Sequence, residues 1–322
     1  MSRGLSLEVV AGVQLALLDS PSGDGLPHEV MRADLERLTE RRQAYQLEDA
    51  ARIAARLLTG LRISRAAGGR EVPEVLRLLV WTCYETRNLI RDLGYPDLAL
   101  LADGVIQRAA EELAEPALLA VAAFARTHAL AAVGTAAFDA AVDVGTSAAD
   151  AVRPVAGTEA LAAYGSLHLA VGFAFAAAGR AVDSAERLAA AQQVALRATG
   201  RSEVGRHLAF GVANVGVHRV SAALELSEPD QAVRAAGQVT VADIPYAARR
   251  ASFWADLGRA HAALGHDDQA VVALRRAEHL APLRVRLHPL VREAVAGMVG
   301  RAQRAAVGRD LRGLAYRMGV PH

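Results

Sequence analysis

The chain of 322 residues is 52% hydrophobic, only 4% aromatic, and carries a formal charge of +1. That is ample length for a buried core, while the charge balance excludes a global field that would gather nucleic acid or an anionic membrane surface. A single cysteine, Cys83, excludes a disulfide framework and a thiolate metal cluster.

Alanine and leucine take the place of the missing aromatics. Small apolar side chains favour helix, and β-branched or aromatic runs are few, so an all-α chain is predicted. All 36 basic residues are Arg, which reads as the codon bias of a GC-rich genome.

In chain order, Leu5 to Leu18 is apolar with helical periodicity and is broken by Glu8 and Gln14. With one Arg before it and no small-residue cleavage site, it makes a poor signal peptide; a docking helix or N-terminal cap is expected instead. "SPSGDGLP" (Ser20 to Pro27) is Gly/Pro-rich punctuation that separates residues 1–25 from the rest. A compact DNA-binding unit takes about 60 residues, so residues 1–25 are read as a remnant of, or dock for, such a module. No charge-free apolar run is expected to reach membrane-spanning length; even the alanine-rich region before Val152 is interrupted by Arg126, His128, Asp139 and Asp143. A cytoplasmic chain is expected.

From Leu26 the pattern becomes one of helical hairpins. A first unit surrounds Arg41 to Leu58, "RAAGGREVP" (Arg65 to Pro73) punctuates, and turns follow at Gly94, Gly134, Gly179, Ser227 and Gly265, spaced 40, 45, 48 and 38 residues apart. The clearest unit is "FWADLGRAHAALGHDDQAVVALRRAEHLAP", Phe253 to Pro282. Here Trp254, Leu257, Gly258, His261, Gly265, Ala270, Leu274, Ala277 and Pro282 fall at offsets 0, 3, 4, 7, 11, 16, 20, 23 and 28. That is the tetratricopeptide (TPR) pattern, with His261 where Tyr is usual. Gly258 and Ala270 are small so that the two helices can touch, Asp267 is expected to cap the second helix, and Pro282 to end it. About six such hairpins, with a C-terminal cap over Leu287 to Val320, predict a right-handed α-solenoid across residues 26–322. From Leu283 onward eight arginines face only Glu293 and Asp310, a tail of +6. It is read as a solvated outer face, with DNA or an acidic partner as the alternative.

The first helix of each hairpin is expected to line a concave groove. Counting back from the turns places Trp81, Tyr84, Asn88 and Arg91 there, then Phe124 and His128, Ser166 and Phe173, Asn214, Val217, His218 and Ser221, and Ser252 and Arg259. Aromatic walls, amides and arginines suit a peptide or a carboxylate-bearing ligand, because Asn pairs with a peptide backbone and Arg forks onto a carboxylate. No enzyme, cofactor or metal is expected. The sequence has no HExxH, CxxC, GxSxG or P-loop, and Glu203/His207 and Asn214/His218 recur with no second ligand pair.

"HLAFGVANVGVHRVSAALELSEPDQAVRAA" (His207 to Ala236), "DLGRAHAALGHDDQAVVALRRAEHLAPLRVRLHPLVREAV" (Asp256 to Val295) and "LRGLAYRMGV" (Leu311 to Val320) resemble the C-terminal TPR region of Xre-type helix-turn-helix transcription regulators of high-GC Gram-positive bacteria. The likeness is specific over Ala163 to Val320 and looser over Leu26 to Arg153. The resemblance implies a sensor domain that dimerises or receives a peptide or small-molecule signal and passes it to a DNA-binding module. That module has no counterpart here, so DNA contact is expected only indirectly, and a homodimer is expected because palindromic operators demand symmetric regulators. A constitutive protein scaffold is the alternative from another class.

Overall fold

The structure, a computed structural model, describes residues 7–18, 23, 25–198, 200–302 and 309–321. Among them all regular structure is helical and no strand occurs, in keeping with the alanine- and leucine-rich composition.

Helix α1 (Leu7–Leu18) lies on α3 and α5. Six hairpins then follow: α2 (His28–Gln43) with α3 (Leu47–Ala67), α4 (Val72–Asp92) with α5 (Pro96–Leu113), α6 (Pro116–Ala131) with α7 (Phe138–Val152), and α8 (Thr158–Ala177) with α9 (Ala181–Arg197). After a short α10 (Glu203–Leu208) come α11 (Val212–Glu225) with α12 (Pro229–Ala236) and α13 (Ala247–Ala263) with α14 (Asp267–Leu280). Helices α15 (Pro282–Leu287), α16 (Pro289–Ala302) and α17 (Arg309–Met318) complete the chain.

Each hairpin turns at a residue of left-handed φ: Tyr45, Gly94, Gly134, Gly179, Ser227 and Gly265. The hydrogen bonds at Gly265 show why. Its N–H donates to the Ala262 carbonyl at 3.2 Å and the His266 N–H reaches back to His261 at 2.9 Å, a helix ending that requires the turn residue to be left-handed. Glycine adopts that conformation without a Cβ clash; Ser227 and Tyr45 adopt it despite one. Within the same hairpin a Cβ on Gly258 would lie 2.7 Å from the Leu274 side chain and 3.3 Å from the Ala270 carbonyl, so the helices do meet at the small residues.

One expectation for this hairpin needs correcting. Asp267 does not cap α14 but is its first residue, and its carboxylate takes Arg301 at 2.6 Å. Pro282 stands two residues past the end of α14, as expected, and also starts α15, where its missing N–H costs no helical bond. A second correction concerns hydropathy: α8 is long and apolar enough to cross a membrane, with Glu159 as its one charged residue. It is nevertheless a core helix, 78% of its apolar window being buried inside the protein.

The hairpin array closes on itself. The Arg284 backbone N–H of α15 donates to the Tyr45 hydroxyl at 2.9 Å and its Nη1 to Asp92 at 2.6 Å, while a Cβ on Gly94 would meet Leu287 at 2.6 Å. A second tie runs through α10, where Arg206 bonds Glu36 at 2.8 Å and His207 Nδ1 bonds Glu85 at 2.6 Å. Helix α4 is thereby enclosed, with Glu85, Arg87 and Asp92 all buried.

Candidate ligand-binding cavity

The closed array surrounds a cavity of about 550 Å³. Its wall is built by the first helix of five hairpins, each presenting residues three or four apart and so on one helical face. Helix α4 contributes Tyr84, Asn88 and Arg91; α6 contributes Phe124 and His128; α8 contributes Phe173. Asn214, His218 and Ser221 come from α11, and Ser252 and Arg259 from α13. The structure thus brings eleven of the fourteen predicted groove residues to one space.

The other three lie elsewhere, each because a neighbour covers its face of the helix. Trp81 is buried against α10, its ring stacked on His207 with centroids 4.3 Å apart. Ser166 is buried and donates to its own helix at Ala162, 2.8 Å; beside it Gly165 is covered by Phe210 so closely that a Cβ would lie 2.0 Å from the ring. Val217, one residue before His218, points away into the core formed with Ala232, Ile244 and Phe253.

Several lining residues escaped the sequence reading. Arg249 and Asp256 stand on the same stripe of α13 as Ser252 and Arg259, so extending that stripe by a turn would have found them. Arg87 follows Tyr84 by three in the same way, and Glu225 follows Ser221 by four. Tyr246, the residue just before α13, continues its stripe three positions ahead of Arg249, whereas Arg42, Arg284 and His288 come from outside the inner helices and no local pattern marks them.

Much of the polar wall is internally satisfied. Arg42 is paired with Glu85, which also bonds His207. Burial alone would raise the Glu85 carboxyl, but the charge of Arg42 and the His207 contact outweigh it and hold its pKa at about 2. Arg87 bonds Asp103 at 2.5 Å, Arg284 bonds Asp92, and Asp256 receives Arg259 at 3.0 Å and the Ser221 hydroxyl at 2.6 Å.

Two lining arginines have no carboxylate among the described residues. Arg249 gives Nε to the Asn214 side-chain oxygen at 2.6 Å, but its Nη2 is buried without a partner. Desolvation, then the charge of Arg284, lowers its pKa to about 10. Arg91 stays accessible to solvent, yet desolvation by the protein around it, with Arg87 and Arg284 nearby, also brings it to about 10. Both remain cations at neutral pH. The histidines are the opposite case. Burial, then Arg87, Arg91 and Arg249, lowers His128 to about 3, and burial with Arg249 pushes His218 well below its ordinary value. The Nδ1 atoms of His218 and His288 are buried and unpartnered. A neutral imidazole offers one donor and one acceptor, so these rings add hydrogen-bonding sites to the wall without charge.

No three His, Cys, Asp or Glu side chains among the described residues come together as a metal site requires. Neither comparison with protein-family models nor a search of curated proteins finds a match to this sequence, so the functional reading rests on the cavity itself.

Proposed function

We propose that this chain is a non-enzymatic regulatory receptor of stacked TPR-like hairpins, which binds a peptide or small ligand in its central cavity and relays occupancy to a partner. The observation that carries this reading is the convergence of five hairpins on one cavity that holds two guanidinium groups without carboxylate partners. A wall of mixed aromatic and polar groups around a few hundred cubic ångströms is the usual form of a ligand site. The regular left-handed turns support a right-handed α-solenoid of TPR type. The resemblance to Xre-type regulators supports a sensory role in which a separate module or partner contacts DNA. Leu15 and Leu18, exposed on α1, offer an apolar surface on which two protomers pair.

Direct DNA binding through the C-terminal arginines has less in its favour. Arg301 is engaged by Asp267, Arg286 and Arg317 share Glu278, and Arg284 is held by Asp92. Arg312 is exposed; Arg304 and the Arg309 side chain lie outside the described residues.

The test is the melting temperature of the purified protein with and without a protein-free extract of small molecules. Selective binding to the native state at a hundredfold excess over Kd adds about 2.7 kcal/mol, a rise of a few degrees. Ala177→Trp, which fills the apolar end of the cavity, is expected to abolish the rise. No shift in the wild type, or an equal shift in the variant, sinks the reading; a response to protein partners alone selects the scaffold.

A further inference from the structure

Resting on the ligand-binding reading above, we propose that the cavity selects a small organic acid with a flat aromatic body. Its anionic group is taken by the free guanidinium edge of Arg249, with Arg91 as the second cation, and its body lies among Phe124, Phe138 and Phe173.

A desolvated charge without a partner is costly, and buried guanidinium groups in folded proteins are almost always paired. The cavity's own carboxylates do not serve Arg249. Asp92 is engaged by Arg284, and Asp256 by Ser221 and Arg259. The third, Glu225, is shifted toward its neutral form by burial and by Asp256. An anion from outside completes the site, and a carboxylate does so bidentately.

The aromatic part of the wall sets the rest of the ligand. His128 stands edge-on to Phe124 at 4.6 Å and lies 6.2 Å from Phe173, an aromatic corner with no charge of its own at neutral pH. The unpartnered Nδ1 of His218, whose residue is only 6% exposed, supplies a hydrogen bond at that corner. An extended peptide needs a groove open at both ends; here the Arg284–Asp92 pair that ties α15 to α4 stands in the cavity wall. The volume of about 550 Å³ instead falls in the range of sites for small organic molecules.

Calorimetric titration with benzoate, 2-naphthoate and biphenyl-4-carboxylate, each against its neutral amide, tests the proposal. At least one acid is expected to bind wild-type protein tenfold or more tightly than its amide. Arg249→Gln, and to a lesser degree Arg91→Gln, removes that preference, so that acid and amide bind the variant alike. Arg249→Gln also raises the melting temperature of the unliganded protein, because an unpaired charge is gone; a merely structural arginine would do the reverse. Equal binding of acid and amide overturns the proposal, as does an acid preference that survives Arg249→Gln, inorganic phosphate binding as tightly as 2-naphthoate, or no binding of any probe. If acids and amides bind equally and Ala177→Trp blocks both, the cavity remains a ligand site and only the acid preference is lost. If no probe binds, the extract experiment decides ligand binding separately.

Discussion

His128 shows how single residues couple the cavity to solution conditions. Its imidazole is neutral because burial and three nearby arginines lower its pKa to about 3, against 6.5 when free. Between those values the unfolded chain takes up a proton that the folded chain refuses, so stability falls as pH drops below 6.5. His168, lowered to about 4 by burial and Arg187, acts in the same direction. Glu85 acts at lower pH. Its pKa of about 2 preserves its contribution above 4.5, and that contribution is lost as pH falls toward 2. Urea midpoints are therefore expected to fall between pH 7 and pH 5. In His128→Gln the slope is expected to be shallower by up to one proton, ~1.4 kcal/mol per pH unit. A midpoint that stays level over that range contradicts the neutral histidines. The sequence marks His128 as a groove residue, but its protonation state depends first on burial and then on Arg87, Arg91 and Arg249, which other helices bring to it.

At the level of elements, the turns are the features that the sequence displays most openly. Five of the six were placed from glycine, or from the Ser-Glu-Pro of "LSEPDQ", before an apolar helix. Tyr45 was not, because its left-handed φ of 60° has no glycine to announce it. Ser227, at φ 58°, carries a Cβ where its counterpart Gly265 has none. Ser227→Gly is expected to stabilise by about 0.5–1 kcal/mol through relief of that clash, and Gly265→Ala to destabilise by about 1 kcal/mol; thermal unfolding of the two variants decides. If both substitutions shift the melting temperature the same way, the turns do not share a geometry. Helix periodicity also located most cavity residues, since a stripe on an inner helix needs only correct register. It misplaced Trp81, Ser166 and Val217 because periodicity gives a face without saying which neighbour covers it. Helix α10, whose His207 stacks on Trp81, is an insertion that the hairpin pattern did not contain.

For the whole molecule the decisive feature is the seam joining α15 to α4 and to the turn between α2 and α3. Asp92, 1% exposed, faces an Arg284 side chain that is 34% exposed. Asp92→Asn is expected to cost about 2 kcal/mol, below the 3–5 of a fully buried pair because Arg284 keeps part of its solvent. The ends of the array should then part, seen as a larger radius of gyration by small-angle scattering with helicity unchanged. An unchanged radius would mean that α15 is held by apolar contact alone. This closure was invisible in the sequence, since Tyr45 and Arg284 are 239 positions apart and neither lies in a recognisable motif. The same separation governs how the protein is made. A ribosome adding 5–20 residues per second needs roughly 10–50 s to travel from Tyr45 to Arg284. Throughout that interval the emerging amino-terminal hairpins carry Asp92 and the Tyr45 hydroxyl without the mate that is still to be translated, so nascent chains are most vulnerable to premature association at this edge.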